Sequence, residues 1–539
     1  MLGRLFRSLF GPDSGRKRQH PRTRRPRLEV LEDRLNPSPT GLIWLGAAGA
    51  SWGTATNWDD NRLPTSTDTV IFDKANGANT NSRMDLGGVA RFHIGKLILR
   101  NGYDKTITLR NEFWVDVLSM NATATIDGAQ AFSITQEADG FFGVPVATVF
   151  GTSSWQQGTI STSSFSLYGD ITHAATLELG SITDTIKLDT NFNIKDKYST
   201  ANWRSGDVTV VKAKTLTNNG TVLLDSAGNT FGNAGGVLDR WTFQNNNILT
   251  LKAGKLGNAI PKNAPGAKVA KAASATPGAT NFEITNAFVL DTNATLEVDS
   301  GTLTIDGSLT QSAGTILVSA GTTLTAADAS FSGGTDTVLG IMTSAAGASF
   351  SGGALTLLGT LAATGSVTQS GGTILVSAGG TLSGASASLS GGTFSLDTGT
   401  LQTIGDVDIL SGGLLSGVGE VTTGGTLDDA GTLTIVGSGP SGLHVTGNYA
   451  QTGTLNVQIS NSYAQGLHVT GLATLGGILN VTMMSGYSPP FTGASFEIVS
   501  YGSHSGSFAT MNLPTLFWGT WQARFDDPAY PNAFSLWVI

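Results

Sequence analysis

The sequence predicts an all-β fold, a right-handed parallel β-helix with capping β segments, and three observations carry that prediction. The first is a short internal period. A Ser followed by a small residue and Gly recurs at Ser312, Ser332, Ser351, Ser370, Ser390 and Ser411, at spacings of 20, 19, 19, 20 and 21 residues. Leu309–Gly334 and Val367–Gly392 are near copies at an offset of 58, and ASFSGG at Ala329–Gly334 returns at Ala348–Gly353. Units this short bury their apolar faces only by stacking on neighbours, which makes a solenoid. The second observation is the β character of each unit. Bursts such as Thr315–Ser319 and Thr373–Ser377, both TILVS, are rich in β-branched residues and too short for helices. The third is the pairs of Gly that close the bursts, suited to turns with positive φ. One coil per unit stacks each strand on its counterpart at ~4.8 Å, and Phe331, Phe350 and Leu389 are expected to form an apolar ladder inside. A row of β-sandwiches would need ~100 residues per domain rather than this period.

Composition bounds the class of function. The chain has 539 residues, 71 Gly and no Cys, so disulfides and thiolate metal sites are excluded and stability rests on stacking. The net charge of −8 is unevenly spread. Residues 1–40 carry ten Lys/Arg against four acids, whereas Ala272–Ala523 has no Lys or Arg and fourteen Asp/Glu. Such a body repels polyanions, so no nucleic-acid partner is expected. No apolar run reaches the ~18 residues of a membrane-spanning helix.

In chain order, residues 1–40 read as a basic, disordered leader or export segment. Its core, Leu28–Ser38 (LEVLEDRLNPS), contains Leu31-Glu32-Asp33-Arg34-Leu35 after the basic run. This resembles the N-terminal signature of exported planctomycete surface proteins, and the resemblance implies export or surface assembly. Residues 41–75 read as a Trp-rich N-terminal cap. Trp44, Gly46, Trp52, Asn57, Trp58, Pro64, Asp68, Val70 and Phe72 resemble the module that opens many bacterial surface β-helices, including those with autotransporter-associated repeats. Three Trp in so short a stretch suit closure of an exposed end; a carbohydrate platform is the alternative.

Residues 76–300 read as irregular coils with strands such as Lys96–Arg100, Ala175–Leu179 and Thr221–Leu224, and with W-x-x-G at Trp155 and Trp203. Ile260–Thr280, rich in Ala, Pro and Lys, is expected to leave the helix as a loop spanning residues 260–280. Residues 301–440 are the regular repeats and residues 441–539 the C-terminal coils and cap. GLHVTG occurs at Gly442–Gly447 and again at Gly466–Gly471, and the stretch from there to Phe496–Ala509 is similar to the ending of the same surface proteins. The last strand is expected within Phe534–Ile539.

Candidate chemistry is sparse. A polysaccharide lyase needs a strong base and cations for the uronate, which the body from Ala272 onward lacks, so such a site would fall within residues 74–271. Hydrolysis needs carboxylates ~5–9.5 Å apart, and Asp406 with Asp408, about 6.6 Å apart along a strand, is the pair with that spacing. It reads instead as a solvated outer face, with Asp428 and Asp429 pointing to opposite sides. His444 and His468 are expected to stack outward on neighbouring coils rather than bind metal. Asp189–Asp196 starts like a calcium loop but has Ile194 where Gly is required. No catalytic, cofactor-binding or metal residue is therefore assigned and no cofactor is expected. The reading is a secreted or cell-surface rod, structural or adhesive and not an enzyme, with extracellular polysaccharide or surface-layer components as expected partners. A polysaccharide-active lyase or hydrolase and a carbohydrate-binding β-helix stand as alternatives.

Overall fold

The structure, a computed structural model, describes residues 41–539 except 121–123, 128–131, 137–152, 156–157, 162–164, 170–175, 181–185, 206, 211–212, 233–239, 275–278, 437–441, 461–462 and 487–490. The leader, and with it Leu31–Leu35, lies outside the described residues.

Each regular coil is built from three short strands. In one coil these are Thr295–Val298 and the two arms of Thr302–Gln311, bent at Asp306–Gly307; the next coil begins at Thr315–Val318. Thr295–Val298 pairs in parallel with Thr315–Val318, and that strand with Thr335–Val338, so the repeat advances one coil per unit. Alternate residues point inward along each strand, as the 2.0 periodicity requires. Leu296, Ile316, Asp336, Leu355, Ile374 and Phe394 are successive rungs of one inward column. The same column begins at Leu42, paired with Val70, and ends at Met511. Parallel stacking thus persists through the irregular N-terminal half, giving the expected parallel β-helix.

Aromatic residues stack where the column allows it. Phe113, Phe132, Phe165 and Phe192 lie in register with centroids 5.6, 5.4 and 4.9 Å apart. Phe331 and Phe350 stack at 4.7 Å and 8°. The ladder does not run straight on to Leu389, because Gln369 occupies the rung between. Its side chain is buried, and Nε2 donates to the carbonyl of Thr393 at 3.0 Å in the next coil. Gln311 and Gln451 take the same inward position beside a turn, and each points its amide at a turn carbonyl. These amides add a second donor to turn oxygens: Gly314 and Gly453 also accept the Thr335 and Ile478 N–H of the next coil.

The repeated Gly pairs serve those turns. Gly353 and Gly372 have φ of +78° and +71°, and a Cβ on Gly372 would sit 2.6 Å from the carbonyl oxygen of Gly353 in the preceding coil. Both the left-handed backbone and the close approach of coils demand glycine.

The segment Ile260–Thr280 departs from its expected loop. Ala259–Asn263 and Lys268–Lys271 are strands paired with Trp241–Asn245 and Ile248–Leu251. The alternation Val269/Lys271 fits an inward face despite the Lys, because the Lys271 ammonium finds carbonyl partners. Residues 275–278 of the expected loop lie outside the described residues.

The first coil packs a buried Trp cluster, and the last gains an antiparallel hairpin. Trp44, Trp52 and Trp58 are 0–1% exposed, and Trp52 meets Trp58 and Phe113 edge-on at 5.4 Å each. Each indole N–H has a partner: Thr80 Oγ1, Ser82 Oγ and the Trp52 carbonyl respectively. Arg62 clamps Asp68 with two bonds of 2.6 and 2.8 Å behind this cluster. At the other end Trp521–Asp527 and Tyr530–Val538 form an antiparallel hairpin that pairs with Ser495–Ser500. The reversal of direction covers the edge of Ser495–Ser500, while Thr510–Asn512 stays exposed.

Candidate functional site

The residues weighed from sequence divide clearly. Asp408 and Asp428 are opposed on neighbouring coils and face outward, while Asp429 points inward and accepts from Tyr449 Oη at 3.2 Å. Asp406 Oδ1 accepts the Thr426 N–H at 2.9 Å, so it braces a turn. Burial, then the carboxylates of Asp408 and Asp406, raise Asp428 above the usual range. The acids thus form a solvated corner, and the closest approach runs between coils rather than along the strand. His444 and His468 stack at 4.7 Å, as the repeat predicts, with His468 Nδ1 2.7 Å from Ser500 Oγ. Burial and the neighbouring His444 lower His468. Among the described residues no group of three or more His, Asp or Glu converges as a metal site. Asp189 pairs with Lys214 at 3.3 Å and Asp196 caps a turn through Tyr198 N and Ser199 Oγ, so the calcium-like stretch is structural. With their rings buried, Trp44, Trp52 and Trp58 present no face to a sugar.

A groove that sequence reasoning missed arises from a break in register. Strands Thr221–Gly232 and Ile248–Gly257 pair up to Asp225↔Ala253 and resume at Thr230↔Lys255, so Ser226–Asn229 loop outward opposite Gly254. Gly254, at φ +112°, is where this works, since a Cβ there would meet the Ser226 carbonyl at 2.6 Å. The loop at Ser226–Asn229 forms one wall, and the chain around Thr280 and Asn281 the other. The groove is open to solvent, with a volume of about 460 Å³, and Lys255, Glu283 and Thr304 are among the residues that line it.

The floor is electrostatically balanced. Lys255 Nζ is paired with Glu283 Oε1, and Asp306 lies at the bend of the next coil, after Thr304 and Ile305. Burial, then the neighbouring Glu283 carboxyl and its charge, hold Asp306 above the usual carboxylate range. Beneath the walls, Lys271 replaces an apolar rung between Leu251 and Val298. Its Nζ donates to the carbonyls of Ala272 and Ser300 at 2.9 and 3.0 Å, and burial pushes it down to about 8. Asn229 Nδ2 bonds Ser226 Oγ at 2.9 Å and the adjoining Asp225 accepts from Ser274 Oγ, so the wall at Ser226–Asn229 is tied down. Among the described residues Lys255 is the one Lys of the interval 74–271 that lines this groove, and its acid partner Glu283 lies beyond that interval.

Outward polar ladders are the other surface feature. Asn456 Nδ2 donates to Thr434 Oγ1 at 2.9 Å, Asn480 Nδ2 to Asn456 Oδ1 at 2.8 Å, and Asn512 Nδ2 to Asn480 Oδ1 at 2.7 Å. Ser395 and Ser416, 3.0 Å apart, occupy the same column. A matching buried row, Asn218–Asn245–Asn263, links coils from inside at 2.9 and 3.2 Å.

Fold and surface together define a parallel β-solenoid with a balanced polar groove and outward polar ladders. No protein-family profile and no curated protein matches the chain. Among the described residues no helix is long and apolar enough to cross a membrane.

Proposed function

We propose that the protein is an exported, cell-surface β-solenoid whose task is display: it holds a repetitive polar face outward and turns over no substrate. The observation that carries this reading is the continuous outward ladder through Ser395, Ser416, Thr434, Asn456, Asn480 and Asn512, built on an unbroken inward column. A regular array one rung apart suits adhesion to a polymer better than a single reactive centre. The resemblance of Leu28–Ser38 to the planctomycete export signature, and of Trp44–Phe72 to the opening module of surface β-helices, supports export.

Display and catalysis are separated by a product assay. Incubation of the full chain with pectate, alginate, xylan and cellulose is expected to release neither reducing ends nor unsaturated products. Sustained release from any of them favours the glycan-active enzyme, the reading that the Lys255–Glu283 groove supports.

A further inference from the structure

The structure points to a specific polymer site: we propose that the groove over Lys255 and Glu283 anchors a linear, neutral polysaccharide that runs along the coil axis over Thr304, Thr325 and Thr343. The choice of an extracellular polymer rests on the display reading above; the binding itself does not.

Three observations lead there. First, Thr230, Lys255, Glu283, Thr304, Thr325 and Thr343 are successive outward rungs of one column, so the groove opens directly onto a hydroxyl row. Thr343 Oγ1 donates to Thr325 Oγ1 at 3.0 Å, which fixes the row's geometry. Rungs stand ~4.8 Å apart, close to the advance of one residue in an extended glycan, so one polar side chain meets each sugar. Second, the groove's chemistry is that of diol recognition. The Glu283 carboxyl offers its oxygen pair to adjacent hydroxyls, Lys255 donates, and Asn281 and Asn229 both donate and accept. Third, charge selects a neutral chain. Lys255 is already paired with Glu283, and from Ala272 to Ala523 there is no cation to meet a uronate. Buried Lys271 occupies an apolar rung at a desolvation cost and bridges the Ala272 carbonyl to the Ser300 carbonyl of the next coil.

The test is calorimetric titration of the full chain with cellohexaose, xylohexaose and mannohexaose, their trisaccharides, and trigalacturonate. At least one neutral hexasaccharide is expected to bind, more tightly than its trisaccharide and than trigalacturonate. Glu283→Gln and Lys255→Ala are expected to weaken that binding at least tenfold with unchanged melting. Thr325→Val, which preserves shape and removes only the hydroxyl, is expected to weaken the hexasaccharide and spare the trisaccharide. No binding of any neutral glycan, preference for trigalacturonate, or affinity unchanged in Glu283→Gln and Lys255→Ala would overturn the proposal. A glycan that binds but is also cleaved leaves the site standing and removes the display reading, so the two failures are distinct.

Discussion

Gln311 Nε2 donates to Asp336 Oδ1 at 2.8 Å, joining one coil to the next inside the solenoid. The same oxygen accepts the Ile316 N–H at 3.0 Å. Asp336 thereby occupies a rung flanked by Ile316 and Leu355, and the amide and peptide donors are what make a carboxyl tolerable there. Burial nevertheless pushes Asp336 up to about 7, and Asp429, beside Tyr449, likewise to about 7.

These two carboxyls set a pH dependence. A folded pKa raised above the unfolded value near 3.9 means that the folded chain holds the proton more tightly. The associated stability is fully present below about pH 4 and is lost as pH rises through about 7. Each group is expected to cost on the order of 2–4 kcal/mol between those limits. Denaturant midpoints of the full chain should fall from pH 5 to pH 8. Asp336→Asn with Asp429→Asn, which keeps acceptors in place, should flatten that fall; an equally steep fall in the double variant would refute the assignment.

The stacked pair Phe331/Phe350 should dominate its coils. Phe350→Ala is expected to cost about 3–5 kcal/mol, because the stacked Phe331 ring cannot collapse into the space and the Gln369 amide is held by its carbonyl partner. Phe350→Leu should cost less than about 1.5 kcal/mol, since most of the volume is kept. Chemical denaturation measures both, and equal losses would contradict a packing role.

Gly372 should tolerate no side chain. Gly372→Ala places a Cβ against the Gly353 carbonyl and keeps a positive φ, so a loss above about 1 kcal/mol is expected. Gly321, also at positive φ but with open space around its Cβ position, isolates the backbone part: Gly321→Ala should cost less. Equal melting temperatures for the two variants would contradict the close approach of coils.

The Trp cluster should matter for folding and not for ligands. Trp52→Ala is expected to cost about 3–5 kcal/mol and to raise amide exchange over Leu42–Asp73. Glycan affinity of the folded variant should match the parent chain. A selective loss of glycan binding would return the cluster to a platform role.

Much of this architecture was legible because nearly identical units leave little freedom. The copies around Phe331 and Phe350 place both rings on one rung, and the two GLHVTG copies do the same for His444 and His468. Gln369 was not legible as an inward residue: its amide is useful only because a turn carbonyl of the next coil lies within reach. Lys271 was hidden for a similar reason, since an Ala-, Pro- and Lys-rich stretch reads as loop until Ala272 and Ser300 supply its acceptors. The groove was the least legible feature. It joins Ser226–Asn229 to Glu283 through a register break that no local pattern announces.

Display outside the cell is tested most directly by fractionating native cells and sequencing the mature N-terminus of the protein recovered. The account predicts recovery from the cell surface or medium, with the solenoid from Gly41 onward degraded when intact cells are treated with protease. Recovery of the intact chain from the cytoplasm, untouched by external protease, would contradict it.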